Sequence, residues 1–258
     1  MSQRPAITTP LDARRFVLAT DLDGTFLGGS QADRRRLYDW IEAHRETIGL
    51  VFVTGRDPGF IVELCDGGVP WPEYVIGDVG TTIAKVEGRE ITPIPELETE
   101  ITAAWGDAGE RVRATLDGHP GLRLQPTGFR HRVSYDLDPE TFDDSAKARV
   151  EALGLDWLIS DNRYFDVLPA GVSKGPSLQR FASAMALDAA RVLAAGDTLN
   201  DASMLECGLP AVAVGGSEAA LLERVAHLPH VHKAEAVGAG GILEAVAALE
   251  LHPVPEGV

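Results

Sequence analysis

The chain has 258 residues, 45% hydrophobic and 24% charged, a composition that supports a globular protein with ample core. A formal net charge of −16 argues against nucleic acid and anionic membrane as partners, while leaving room for a local phosphate site inside an acidic shell. Cys65 and Cys207 imply no disulfide framework, and with neither a secretory h-region nor a spanning apolar stretch the chain is expected to be cytoplasmic.

Residues 1–14 are polar and interrupted by proline, which reads as a mobile lead-in. Phe16–Ala19 is a short apolar run suited to a strand buried on both faces. It ends in Asp21 and Asp23, followed by Gly24 and Thr25, so the chain must turn there. Two carboxylates at a strand's C-terminal end fall where open parallel sheets place their ligand crevice. Their mutual repulsion asks for a metal ion or a bound proton. An acidic turn capping the next element is the plain alternative. A calcium loop of the EF-hand type fits poorly, because Phe26 and Ala32 stand where such a loop needs Gly and Glu.

A helix is expected from about Ala32 to Arg45, with Leu37, Trp40, Ile41 and His44 on one face. His44 is read there as a packing residue. Ile48–Val53 is a second buried strand, ending in Thr54-Gly55-Arg56, and Asp57-Pro58 opens a helix. Tyr74–Ile76 is a third strand, followed by a hairpin that turns at Gly88.

From Pro93 the texture changes. A polar helix over roughly Leu97–Leu116 precedes strands at Leu122–Gln125 and His131–Leu137. A helix over about Pro139–Leu153 and strands at Trp157–Ile159 and Tyr164–Leu168 complete an α+β block with an antiparallel sheet. Strand–helix alternation then resumes with a helix at Lys174–Leu187, a strand at Val192–Ala195 and a short helix at Asp201–Cys207. A strand at Ala211–Val214 and helices at Glu218–Val225 and Ile242–Leu249 follow.

Three further signals stand at strand ends. Thr54 offers a hydroxyl and nearby backbone N–H groups to an anionic oxygen. Lys174 opens a helix, where a cation is mildly unfavourable; it reads either as a solvated surface charge or as one that neutralises a phosphate. Ala194–Asp201 repeats the acidic design: a buried strand runs into Gly196, Asp197, Asn200 and Asp201. Two acidic strand ends could share one divalent ion, and their hard oxygens suit Mg²⁺ better than zinc.

In that order, Asp21–Thr25, Thr54, Lys174 and Gly196–Asp201 resemble the four motifs of the haloacid dehalogenase-like phosphohydrolase superfamily. The block between Thr54 and Lys174 then resembles a C2-type cap. Thr54-Gly55-Arg56, Val79-Gly80, Val133-Ser134-Tyr135, Asp166–Pro169, Ser173-Lys174-Gly175 and Ala239–Ala245 are similar to the sucrose-phosphate phosphatase-like branch. Two positions depart from that branch, which commonly has Asn where Gly24 stands and Glu where Thr82 stands.

The resemblance implies a doubly wound, Rossmann-like parallel-sheet α/β core over residues 1–92 and 168–258, with an inserted α+β cap domain over 93–167. It implies that Asp21 is the nucleophile, Asp23 the general acid and base, and Thr54 and Lys174 the holders of phosphate oxygens. Mg²⁺ would be held by Asp21, the Asp23 main-chain carbonyl, Asp197 and Asp201. Gly55, Arg56, Asn200, Arg132 and Arg163 join Thr54 and Lys174 as substrate-binding residues, and Arg130 is a further cap candidate. His119 and His131 lack metal-ligand spacing and read as structural.

The implied activity is Mg²⁺-dependent hydrolysis of a disaccharide or glycoside phosphate, such as sucrose 6-phosphate, by a monomer or homodimer. Mannosylfructose, trehalose or glycosylglycerate phosphate are the alternative substrates. A sugar phosphomutase and a non-catalytic sugar-phosphate-binding regulator are the alternative functions.

Overall fold

β1 (Phe16–Thr20) is covered on both sides: Phe16 and Leu18 enter one apolar cluster, Val17 and Ala19 another. That double burial is what makes the sequence a central parallel strand. The computed structural model describes residues 7–256. The first six residues of the expected lead-in lie outside the described residues. The end of that segment is pinned, since Arg14 is 5% exposed and donates to the Ile48 carbonyl at 3.0 Å and to Glu73 at 2.7 Å.

After β1 come α1 (Gln31–Ala43), β2 (Ile48–Val53), α2 (Pro58–Asp66), β3 (Tyr74–Gly77) and the hairpin β4 (Thr82–Glu87) with β5 (Glu90–Pro93). Ser30 caps α1 by accepting from the Asp33 N–H at 3.1 Å, and Asp57 caps α2 by accepting from Gly59 at 2.8 Å. The inserted block holds α3 (Pro95–Trp105), α4 (Ala108–Thr115), β6 (Leu122–Leu124), β7 (Val133–Leu137), α5 (Ser145–Glu151), β8 (Leu155–Ser160) and β9 (Tyr164–Pro169). The chain then returns through α6 (Lys174–Ala184), β10 (Val192–Gly196), α7 (Ala202–Leu205), β11 (Ala211–Gly215), α8 (Ala219–Arg224), β12 (Val231–Val237) and α9 (Ala239–Ala248).

The large sheet has the order β12-β11-β10-β1-β2-β3-β4-β5. Its first six strands run parallel, and the hairpin extends it antiparallel at one edge. From β1 the chain winds outward one way through β2 and β3, then returns beside β1 and winds the other way. The switch point therefore lies between β1 and β10, where such sheets open a crevice at their C-terminal ends. α1 and α9 cover one face through Leu37, Ile41, Ile242 and Val246. α6 and α7 cover the other through Leu178, Phe181 and Met204.

The smaller sheet, β6-β7-β9-β8, is antiparallel throughout. Val133, Tyr135 and Leu137 of β7 and Phe165 and Val167 of β9 pack beneath Val112 of α4 and Val150 of α5. The intervening residues, Ser134, Asp136 and Asp166, fall on the opposite face by strand alternation.

Three local expectations change. The long polar helix is two helices, because the chain breaks at Gly106 with φ +49°. The cap helix starts at Ser145, since Asp138 and Asp143 spend their carboxylates on local turns to Glu140, Thr141 and Ser145. β12 was not foreseen; it is an edge strand whose Val231-His232-Lys233-Ala234-Glu235 carries little apolar signal.

The β3–β4 turn brings the two halves of the core together. Gly80 sits at φ +97°, and a Cβ there would lie 2.5 Å from the Ser173 carbonyl, one residue before Lys174. Gly80→Ala should therefore cost at least about 2 kcal/mol, from left-handed strain plus the backbone clash. Gly88→Ala is the control: φ is +64° with open space around it, so only about 1 kcal/mol should be lost. Urea unfolding of both variants measures the difference.

Candidate active site

β1 and β10 end side by side, and the Asp21 N–H continues their pairing by donating to the Ala195 carbonyl at 2.9 Å. A tight turn over residues 22–26 then folds back, with the Phe26 N–H donating to the Asp21 carbonyl at 3.2 Å. Gly24 holds φ +83° in this turn, and the Asp197 carboxylate fills the space where its side chain would be. Thr25 donates to Asp197 Oδ1 at 2.6 Å, which locks the two acidic strand ends together.

Lys174 starts α6 with its side chain fully buried. Its Nζ donates to Asp21 Oδ1 at 2.6 Å, Asp201 Oδ1 at 2.6 Å and Asn200 Oδ1 at 3.0 Å, using all three donors. Burial disfavours its charge, but Asp201 and Asp21 outweigh that and hold the ammonium above its ordinary value. The other oxygen of Asp201 accepts from the backbone of Asp197 at 2.9 Å and Thr198 at 3.0 Å. Asp201 thus ties the second acidic loop to the lysine.

The Asp21, Asp197 and Asp201 carboxylates come within 4.8 Å of one another. Burial drives Asp21 well above the usual carboxylate range, with Lys174 opposing and Asp201 reinforcing. Burial, countered by Thr25 and aided by Asp201, pushes Asp197 up to about 7. Three acids around one ammonium are short of positive charge, and their hard oxygens fit a divalent cation such as Mg²⁺.

On the other side of Asp21 stands the Thr54 loop. Thr54 is buried at the end of β2, and its Oγ1 accepts from the Arg56 N–H at 3.1 Å. That leaves the hydroxyl proton for another acceptor, although Thr54 itself does not line the cleft described below. Arg56 stacks on Phe60 at 4.6 Å and donates to both Asp23 oxygens, at 2.9 and 3.2 Å. The Asp23 side chain is 55% exposed, so it faces the cleft while Asp21 forms the floor.

Above this floor lies a cleft of about 450 Å³ roofed by the polar face of the smaller sheet. Asp21, Asp23, Gly55, Arg56 and Asn200 line its lower wall. Arg132 and Arg163 reach it from the cap. The sequence reading did not select Ser134, Asp166, Gln125 or Tyr164, which line the roof as well. Their signal was present in the alternation of β7 and β9, where Ser134 and Asp166 interrupt apolar neighbours. Asp166 accepts a short hydrogen bond from the Ser134 hydroxyl. An Asp161-Asn162 turn, with φ +51° and +50°, carries Arg163 at the cleft's rim.

Arg130 sits elsewhere. It donates to Glu98 at 2.8 and 2.9 Å and to Thr82 at 3.2 Å, bolting the cap loop to α3 and β4. Thr82 is buried on Asp78 and Arg130 and does not line this cleft. His131 bonds Thr102 and His119 bonds Ser145, both as packing residues.

Removing the lysine's charge tests this arrangement directly. Lys174→Met should cost about 3–5 kcal/mol of stability, because it strands buried carboxylates. Unfolding midpoints of the two proteins measure the loss.

Residues 14–250 match the profile of the Sucrose-6F-phosphate phosphohydrolase family. The chain is 43% identical over 232 residues to a glucosylglycerol-phosphate synthase of Pseudomonas anguilliseptica, covering 89% of this chain and 30% of the synthase. It therefore spans under a third of that relative's length. It is 28% identical to the mannosylfructose-phosphate phosphatase of Agrobacterium fabrum, over 92% of this chain and 98% of the relative. The crystal structure of the Synechocystis sp. PCC6803 sucrose-phosphatase with sucrose and phosphate superposes with a TM-score of 0.83 at 25% identity, covering 92% and 98% of the two chains. With the four motifs gathered at one switch point and the profile running through both core and cap, the chain belongs to the sucrose-6F-phosphate phosphohydrolase family of haloacid dehalogenase-like proteins.

Proposed function

We propose that this chain is a Mg²⁺-dependent phosphatase of a phosphorylated glycoside, with glucosylglycerol phosphate as the first substrate to test. The observation that carries the reading is the fully buried Lys174, which holds the nucleophile candidate Asp21 beneath a polar-roofed cleft. A binding-only scaffold has no use for a carboxylate oriented in this way.

Lys174 fixes the plane of the Asp21 carboxylate at the cleft floor. Asp21 attacks phosphorus in line, the bond to the sugar oxygen breaks, and an aspartyl-phosphate forms. Asp23, on the open side, gives a proton to the departing oxygen. It then takes one from the water that hydrolyses the intermediate. The Thr54 hydroxyl holds a non-bridging oxygen as charge moves, while Lys174, its three donors already spent on Asp21, Asn200 and Asp201, balances charge from beneath the floor. Arg56, released from Asp23 by the incoming phosphate, is a further holder. When bound, Mg²⁺ offsets repulsion between phosphate and carboxylates, and Asp21, Asp197, Asp201 and the Asp23 main-chain carbonyl would hold it, Asp201 directly or through a water.

The roof supports a hydroxyl-rich leaving group. Ser134, Asp166, Gln125 and Arg163 offer donors and acceptors rather than an apolar wall. A volume of about 450 Å³ suits a two-ring or ring-plus-glycerol glycoside. The segment similarity to a protein named for glucosylglycerol phosphate favours the second form.

The test is phosphate release from glucosylglycerol phosphate, sucrose 6-phosphate, mannosylfructose phosphate, trehalose 6-phosphate and glycerol 3-phosphate. At least one glycoside phosphate should exceed glycerol 3-phosphate in kcat/KM by about tenfold or more. Asp21→Asn should release none. Equal rates across the panel would remove the glycoside from the reading, and phosphate moved to a second sugar rather than to water would make the enzyme a mutase.

Metal dependence has its own measurement. Chelator should stop phosphate release and Mg²⁺ restore it, while Ca²⁺ supports it poorly because its looser coordination misplaces the attacking carboxylate. Full activity in excess chelator would contradict the reading.

A further inference from the structure

One buried cap residue is joined directly to the core's phosphate loop. Arg132 lies just before β7, 5% exposed, with its guanidinium stacked on Phe129 at 3.7 Å. Its Nη2 donates to the Gly55 carbonyl at 3.2 Å. Asp78 of the core and Asp166 of the cap each stand 3.6 Å away, too far for a good hydrogen bond but close enough to favour the charge. Its Nε and the facing Asp78 Oδ1 are both buried without a hydrogen-bond partner. This geometry spends one bond across the cap–core boundary and leaves capacity over.

The Gly55 carbonyl belongs to the same peptide unit as the Arg56 N–H. Arg132 therefore holds one end of that plane, and the Thr54 hydroxyl accepts from the other end. Because Thr54 Oγ1 accepts there, its own proton is left for another acceptor, which in the phosphatase reading is a phosphate oxygen. Turning the peptide would remove the acceptor at one end and free the hydroxyl at the other. We propose that Arg132 is a positioning residue: while the cap is seated, it sets the Gly55–Arg56 peptide and through it the donor direction of Thr54. The cap thereby completes the phosphate site as well as roofing it. This inference rests on the phosphatase reading above, but not on the identity of the sugar.

The experiment compares Arg132→Gln, Arg132→Lys and Thr54→Val on a small aryl phosphate, which has no sugar to meet the roof, and on the preferred glycoside phosphate. In Arg132→Gln, kcat on the aryl phosphate should fall about 10- to 100-fold with little change in KM. The Arg132→Gln/Thr54→Val double variant should lose little more than the worse single, since both act through one peptide. Arg132→Lys keeps the charge between Asp78 and Asp166 and so preserves the fold if Gln does not. Its point-like ammonium cannot reproduce the planar fork, so kcat should still fall, less steeply.

Loss confined to the glycoside's KM would make Arg132 a sugar contact and overturn the proposal. A lowered unfolding temperature with kcat unchanged would make it a staple between domains, which overturns it as well. So would full additivity with Thr54→Val, or wild-type kcat in a folded Arg132→Lys. If no glycoside is preferred, the substrate reading fails while the aryl phosphate arm still decides this one.

Discussion

A lysine ammonium with no access to water must find its hydration shell in the protein, or lose its charge. Lys174 finds it in Asp21, Asp201 and Asn200, and this requirement draws three distant parts of the chain to one point. Asp21 comes from the end of β1, Asn200 and Asp201 from the loop after β10, and the lysine from the start of α6. None of these could meet unless β10 returned beside β1, and that order is enforced by the apolar faces of the sheet. The cost of stranding any member couples the catalytic geometry to the stability of the core.

The acids in the two strand-end loops divide their labour by backbone conformation. Asp201 turns inward, where it caps its own loop and braces the lysine. Asp197 is held by Thr25 across the gap and fills the space beside Gly24. Two carboxylates four residues apart thus take different local partners while both stay within the acidic cluster. Any side chain at position 24, including the Asn of the branch that the chain resembles, would press on Asp197 and require it to shift.

Much of this was legible in the residues. Asp21, Asp23, Thr54, Lys174, Asp197 and Asp201 stand at strand ends, and a buried strand that stops in acids has few structural uses. The parallel order followed from apolar runs alternating with helices. What escaped notice had weak local signals. β12 lies at an edge, where His, Lys and Glu serve as well as apolar residues. Arg14 looked like tail until Ile48 and Glu73 supplied its partners from across the sheet. The break at Gly106 depends on a left-handed residue that helical periodicity does not register. The roof of the cleft was half visible, since Ser134 and Asp166 sit on the polar face of otherwise apolar strands. Which face met the core could not be read without the long-range pairing of β7 with β9.

The balance of charge in the cleft argues for how a phosphate can enter an acidic protein at all. Asp21, Asp23, Asp57, Asp161 and Asp166 line it against Arg56, Arg132 and Arg163. Lys174 is already committed beneath the floor. Long-range attraction by the protein's own field therefore cannot bring a dianion in, and screening at physiological salt weakens the surrounding −16 only beyond about 8 Å. Recognition must be short-ranged. It falls to groups whose present partners a phosphate can replace, of which the half-exposed Arg56–Asp23 pair is the clearest. In the proposed reaction this exchange would move Arg56 from a carboxylate to a phosphate oxygen and free Asp23 at the leaving-group side. On that proposal, substrate entry and preparation of Asp23 as the acid would be one event, and an anion without a leaving oxygen near Asp23 would gain only half of it.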